Sequence, residues 1–190
     1  MKFHCFPKVV IAFATCCVIA ISARPVVGQE AMARPMQINI DLRDLPRKLV
    51  HVELTLPLTP ASENRTIAIW YPKWVPGSHG PGGPIANIAG LKIEDPQGNR
   101  LSWLRTAGEV YRLEVTVPPH ADEIRIFLRY ITNQPTTTSF GHDCFSASNI
   151  GVISPGSLLL CPETADIDVQ QITTRLQLPQ GWHVATALKT

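Results

Sequence analysis

Histidine is the residue type here that could most readily ligate a metal or transfer a proton, and the 190-residue chain has six, at positions 4, 51, 79, 120, 142 and 183. A zinc peptidase site of the H-E-x-x-H type needs two histidines one helical turn apart. The nearest similar segment, "HVELT" from His51, has the alternation of a strand. The spacing therefore predicts no metal site and no cofactor in this chain.

A cysteine close to a histidine occurs in "GHDC", residues 141–144. Two side chains separated by one residue usually lack the geometry of a Cys–His nucleophile pair, so a half-cystine or an ordinary loop thiol is the favoured interpretation of Cys144. The chain also lacks G-x-S-x-G, a phosphate-binding glycine loop and Cys-x-x-Cys. The sequence predicts no catalytic residue.

The most unusual segment is "YPKWVPGSHGPGGP", residues 71–84, which is dominated by proline and glycine. Proline fixes φ and removes amide donors, whereas glycine permits tight turns, so the segment predicts a shaped loop and not a central strand. We expect Trp74 to anchor this loop in the core. Trp74, Ser78 and His79 are the candidate residues for lining a binding cleft. The alternative is that the loop only closes one end of a sheet domain.

The rest of the sequence alternates apolar and polar residues with a period of two, which is typical of half-buried strands. Three long runs show this pattern: "LVHVELTLPL" from residue 49, "VYRLEVTV" from 110 and "EIRIFLRY" from 123. Shorter runs predict further strands: "MQINIDL", "RTIAIWY", "LKIED", "SLLLC" and "ITTRLQL". The pattern predicts one all-β domain over residues 36–190, either a β-sandwich or a saddle-like antiparallel sheet.

The first 28 residues have the composition of a secretory signal peptide, with two lysines before the apolar run "VVIAFATCCVIAI". That run is shorter than the roughly 20 residues of a transmembrane helix, so we expect export to the periplasm or the extracellular space and no stable membrane span. Cleavage would follow Gly28 or Ala33. Removal of residues 1–28 leaves 14 basic and 15 acidic side chains with no basic cluster. This balance argues against nucleic-acid binding.

Cys144 and Cys161 are the two cysteines that remain after processing, and an oxidising compartment makes them a candidate disulfide. The register of the chain leaves the question open. If "SPGS", residues 154–157, is a two-residue hairpin turn, residue 150 lies opposite Cys161 and Cys144 is out of register. The bridge then forms only if "DCFSASN" is irregular.

Three segments carry a family resemblance. "YPKWVPGSHGPGGPIANIAGLKIEDPQGNRLSW", "DCFSASNIGVISPGSLLL" and "LPQGWHVATAL" occur in this order between residues 71 and 188. They resemble segments of the amino-terminal domain in the glycyl aminopeptidase family of zinc peptidases, metallopeptidase family 61. The first resembles the P-x-W-x-P-G-S motif, although His79 and Gly82 stand where the family commonly has tyrosine and arginine. The resemblance covers residues 37–188. Because Gly82 replaces the arginine, any contact that the family's arginine makes is not expected in this chain.

The resemblance implies an all-β domain that packs on a thermolysin-like zinc domain with an H-E-x-x-H helix. We therefore expect an exported, noncatalytic domain of a zinc aminopeptidase-like protein that is truncated before the catalytic domain. Its partners would be the carboxy-terminal catalytic domain and a peptide substrate. Zinc would be bound only in the catalytic domain. The alternative is a stand-alone extracytoplasmic β-sandwich that acts in binding or adhesion.

Processing is testable directly. In protein expressed with its own leader and recovered from the periplasm, Edman sequencing should begin at Gln29 or Arg34, because small residues precede both positions. The mature mass should lack Cys5, Cys16 and Cys17. A mature chain that still begins at Met1 would contradict the prediction.

Overall fold

The alternating sequence forms strands through most of the described chain. The structure, a computed structural model, describes residues 34–75, 79–134, 143–166 and 170–188. The predicted signal peptide lies outside these ranges and stays a prediction. The strands are β1 (Met36–Asp41), β2 (Leu49–Pro57), β3 (Arg65–Trp70), β4 (Ile88–Glu94), β5 (Trp103–Thr106), β6 (Glu109–Val117), β7 (Glu123–Ile131), β8 (Phe145–Ser146), β9 (Gly151–Val152), β10 (Cys161–Pro162) and β11 (Ile172–Gln177).

The helical content of the described ranges is limited to three short 3-10 helices, at Leu45–Arg47, Ile85–Asn87 and Pro155–Leu158. This agrees with the lack of a 3.6-residue period in the sequence. Within the same ranges, no helix has the length and apolar composition needed to cross a membrane.

Two larger sheets and one small one contain the strands. A five-stranded sheet has the order β11–β1–β2–β7–β4, a four-stranded sheet has the order β10–β3–β6–β5, and β8 pairs with β9. The strand pairs are antiparallel, except that β11 runs parallel to β1. The sheets are therefore antiparallel, as predicted, except at this edge. The first residue of β11, Ile172, pairs with the first residue of β1, Met36, so the two strands run in the same direction.

The two larger sheets share one hydrophobic core. On β2 and β7, the residues predicted to point inward are buried: Val50, Val52, Leu54, Leu56, Ile124, Ile126, Leu128 and Tyr130. They belong to the same cluster as Ile69, Leu113, Val115 and Val117 of the four-stranded sheet. Burial of each such side chain stabilises the fold by about 1.5–3 kcal/mol. The all-β prediction is confirmed, and the arrangement is consistent with a β-sandwich.

The region from Ser154 to Cys161 differs from the sequence prediction. "SPGS" is not a hairpin turn, because Pro155–Leu158 forms a 3-10 helix, and the strand predicted for "SLLLC" is only the two-residue β10. Pro155 has the fixed φ that suits the first helical position. Leu158 and Leu160 are both buried, which explains why the apolar run resembled a strand.

The turn after β4 is organised by a buried carboxylate, that of Asp95. Asp95 Oδ1 accepts hydrogen bonds from the backbone N–H groups of Gln97 at 3.0 Å and Asn99 at 2.8 Å, and Oδ2 accepts one from Asn99 Nδ2 at 2.8 Å. Gly98 completes the turn at φ 88°. Burial raises the pKa of Asp95, but the hydrogen bonds from Asn99 and Gln97 outweigh this effect and lower the pKa below its ordinary value.

Asp95→Ala should lower the free energy of unfolding by about 2–3 kcal/mol at pH 7, because the donors of the turn lose a charged acceptor. Since the folded pKa lies below the unfolded one, this contribution is complete above the unfolded pKa and is lost as pH falls through the folded pKa. Urea melts at several pH values should therefore show the difference from wild type shrinking in acid. Glu63→Ala, at an exposed position, is the control. An equal difference at pH 7 and in acid would contradict the assignment.

Candidate functional site

The loop that follows β3 begins from a buried tyrosine. Tyr71 is only 1% exposed, and its hydroxyl donates a hydrogen bond to the carbonyl oxygen of Ser157 at 2.7 Å. Its ring stacks on that of Tyr111, with centroids 6.5 Å apart and planes at 12°. Burial raises the pKa of the Tyr71 hydroxyl, which therefore stays a neutral donor. The start of the loop is thus fixed to the core.

The two ends of the loop are held together by backbone hydrogen bonds. The carbonyl oxygen of Lys73 accepts bonds from the N–H groups of Gly82 at 3.0 Å and Gly83 at 3.1 Å. The Tyr111 hydroxyl donates to the carbonyl oxygen of Gly83 at 3.2 Å. These bonds close the loop at Lys73, Gly82 and Gly83, which we call the neck of the loop. This confirms the prediction of a shaped loop.

Glycine is required at the neck because two backbone segments approach closely there. A Cβ at Gly83 would lie 1.8 Å from the carbonyl oxygen of Pro72 and 3.1 Å from Cε1 of Tyr111. No larger side chain fits this space unless the neck moves. Gly80, farther along the loop, has no atom within 4 Å of the corresponding position.

An ion pair supports the neck from the side. Lys73 Nζ contacts Glu109 Oε2 and lies 5.9 Å from the centroid of the Tyr111 ring. The hydrogen bond from Lys73, with a further one from the backbone N–H of Tyr111, lowers the pKa of Glu109. The carboxylate is therefore ionised at neutral pH and can hold the Lys73 ammonium beside the neck.

Trp74 is not the anchor of this loop, and that expectation is wrong. Its side chain is 64% exposed, whereas Tyr71 occupies the core position. The reason is register: Ile69 and Tyr71 continue the inward alternation of β3, and Pro72 then ends the strand. The loop instead presents an indole to solvent, where it could stack on an apolar or planar group of a ligand.

Of the other two predicted cleft residues, the structure describes His79. His79 is exposed, and it makes no hydrogen bond to any of the described residues. Ser78 lies outside the described residues. The structure therefore places Trp74 and His79 in one loop, and the roles of Trp74, Ser78 and His79 in a cleft stay predictions.

The remaining described histidines lie far apart in the fold. His51 Nε2 lies 2.9 Å from Asp44 Oδ2 on the five-stranded sheet. His120 occupies a turn at φ 61°, and His183 lies near the end of the described chain. Within the described ranges, no three His, Cys, Asp or Glu side chains come together as a metal site. His142 is not described.

The two cysteines of the candidate disulfide are both free thiols in the structure. Cys144 is buried before β8, and its Sγ lies 3.7 Å from the carbonyl oxygen of Ser154. Burial raises the pKa of Cys144 to about 12, so the thiol is protonated at neutral pH and is a poor nucleophile. Cys161 begins β10 in the four-stranded sheet. Formation of the bridge after export stays a prediction.

A polar network beside the loop was missed by the sequence reasoning. Arg112 of β6 bonds to Glu114 at 2.7 Å and to Thr106 Oγ1 at 3.0 Å, and it reaches Glu163 at 3.4 Å. Glu163 also accepts a bond from Trp70 Nε1 at 3.0 Å. These hydrogen bonds lower the pKa of Glu163, with Trp70 the largest cause and Arg112 the next. The alternation of β6 indicates that Arg112 points outward, but only the pairing of β10 with β3 brings Glu163 to it.

Gly83→Ala should lower the free energy of unfolding by about 3 kcal/mol, because the added methyl group overlaps the Pro72 carbonyl. Gly80→Ala is the matched control and should change it by less than about 0.5 kcal/mol. Denaturant melts of the two variants provide the measurement. Equal stability of both would show that the neck is not closed as described.

Comparisons with known proteins agree on the type of domain. Residues 37–190 match the family model described as the Peptidase M61 N-terminal domain. No curated protein matches this chain. Among solved structures, the crystal structure of an aminopeptidase N family protein from Idiomarina loihiensis is similar, with a TM-score of 0.59 and 20% sequence identity over 76% of this chain.

The two matches differ in how much they show about this chain. The structural match spans 22% of the Idiomarina chain, and at 20% identity it supports the fold alone. The family model, in contrast, covers most of this chain, including the Pro- and Gly-rich loop, β6, and the last strand, β11. This chain belongs to the Peptidase M61 N-terminal domain family.

Proposed function

We propose that this chain is the noncatalytic β-domain of an exported zinc aminopeptidase-like protein, and that it acts together with a separate peptidase domain. The observation that carries the proposal is the family match over residues 37–190. The signal-like composition of residues 1–28 supports export. Zinc is expected in the peptidase domain, where it would activate a water molecule for attack on the peptide bond. The described residues of this chain do not fit a zinc site.

The contribution of this domain to the enzyme would be to form part of the substrate cleft. Trp74 supports this role because it is a large apolar side chain, 64% exposed, on a loop whose neck is fixed. A fixed loop loses little conformational entropy when a ligand binds. Trp74 would contact the peptide away from the bond that is cleaved.

The test uses the protein encoded by the complete reading frame that contains these 190 codons. The frame should encode an H-E-x-x-H segment, and its product should cleave glycyl or alanyl p-nitroanilides. A chelator should abolish this activity and zinc should restore it. A frame with a stop codon after Thr190 and no adjacent peptidase frame would contradict the proposal and favour the rival function of a binding or adhesion module, which an exposed Trp74 would also suit.

In the active enzyme, Trp74→Ala should raise KM for peptide substrates by about tenfold while kcat stays nearly constant. Loss of a contact made equally in the ground state and the transition state has this signature. Val152→Ala, a substitution at an exposed apolar position on β9, is the control and should change neither constant. Unchanged KM in Trp74→Ala would remove Trp74 from the cleft.

A further inference from the structure

The outward faces of the two larger sheets differ in character. On the five-stranded sheet, the outward side chains of residues 37–41, 51–55 and 123–131 are polar or charged except Phe127 and Ile131, and Ile131 is 45% exposed. On the four-stranded sheet, the hairpin of β5 and β6 exposes two large apolar side chains, with Leu104 74% exposed and Val110 54% exposed. Exposed apolar groups that cluster on one face typically indicate an interaction surface.

Contacts connect these two side chains to the Trp74 loop. Arg105, next to Leu104, donates from Nη1 to the carbonyl oxygen of Val110 at 2.5 Å. Glu109, next to Val110, pairs with Lys73, which precedes Trp74. Val110 is therefore next to a residue that contacts the neck of the Trp74 loop, and Leu104 lies opposite Glu114 on the outward side of the same sheet. We call the outward face of this sheet, from Leu104 and Val110 to Arg112, the hairpin face.

The charged groups of the hairpin face are already paired with one another. Arg112 is satisfied by Thr106, Glu114 and Glu163, and its guanidinium lies 5.9 Å from the ring centroid of Trp70. Charges whose hydrogen bonds are internally satisfied cost less to cover than isolated charges do. On the outward face of the five-stranded sheet, Asp41 pairs with Arg43 and Lys92 pairs with Glu94. Two further charged residues of that face, Glu53 and Arg129, make no ion pair within the described ranges. The hairpin face is therefore the less costly of the two to bury.

We propose that the hairpin face is the surface on which the peptidase domain of the same polypeptide docks. The inference rests on the proposed function, and it adds the location of the interface. The family model describes domains amino-terminal to a peptidase, and the similar solved chain has this fold in only 22% of its length, so a covalently attached occupant fits the face. A tethered partner has a high effective concentration and can dock on a small surface. Docking there would bring the peptidase domain close to the Lys73–Glu109 pair at the neck of the Trp74 loop, and ligand sites commonly form between domains.

Hydrogen exchange on the product of the complete reading frame and on the 190-residue chain tests the proposal. In the longer protein, amides of residues 103–112 should exchange about tenfold more slowly than in the 190-residue chain, because a docked domain suppresses local opening. Amides of residues 125–129 on the other sheet should exchange equally in both proteins. Protection of residues 125–129 without protection of residues 103–112 would overturn the inference.

Substitutions separate docking from folding. Leu104→Glu and Val110→Glu should each return exchange of residues 103–112 in the longer protein to the rate of the 190-residue chain, since an added charge opposes burial. Ile131→Glu, also at an exposed apolar position but on the five-stranded sheet, should not. Exchange that stays slow in Leu104→Glu and Val110→Glu overturns the inference while the proposed function stands. A frame that encodes no peptidase domain overturns both.

Discussion

The stacked pair of Tyr71 and Tyr111 is the contact on which the candidate site depends. Tyr71 belongs to the core through its ring and through its hydrogen bond to Ser157. Tyr111 lies against that ring and donates its own hydroxyl to Gly83 on the far side of the loop. The pair therefore fixes residues 71–75 and 79–84, which have no regular secondary structure, to the core of the sandwich. Without it, a loop rich in glycine would sample many conformations.

The fixed loop and the hairpin face are two consequences of one arrangement. The Lys73–Glu109 pair joins them at the residue where β6 begins. The inward side chains of this sheet complete the core, and on its outward face Leu104 and Val110 are exposed. Under the proposed function, such a domain contributes position and shape to a site that forms against the peptidase domain.

Much of the fold could be predicted because period-two alternation depends only on local sequence. The inward residues of β2 and β7 were assigned correctly for this reason. The errors arose where tertiary contacts decide. Trp74, which lies between two prolines, was predicted to anchor the loop. Tyr71 anchors it instead, because Tyr71 continues the inward alternation of β3. The 3-10 helix at Pro155–Leu158 has the same apolar residues as a buried strand, and composition cannot distinguish them.

The site could be predicted only in part. The Pro- and Gly-rich loop was identified from composition, and the alternation of β6 placed Tyr111 on the inward face. The closure of the loop could not be predicted from the sequence. The carbonyl of Lys73, the amide of Gly83 and the hydroxyl of Tyr111 meet only after β3 pairs with β6. The network of Trp70, Arg112 and Glu163 needs a third strand as well. Such contacts between distant segments have no periodic signal in the sequence.

Hydrogen exchange of the Gly82 and Gly83 amides in Tyr111→Phe tests the central claim most directly, because both amides bond to Lys73 across the neck of the loop. The substitution removes one hydroxyl and keeps the aromatic stack, so global stability should change by only about 1 kcal/mol. If the Tyr111 hydroxyl holds the neck closed, the two amides should exchange about tenfold faster than in wild type, while amides of β2 and β7 keep their rates. Unchanged exchange at Gly82 and Gly83 would contradict the account of a loop fixed through Tyr111.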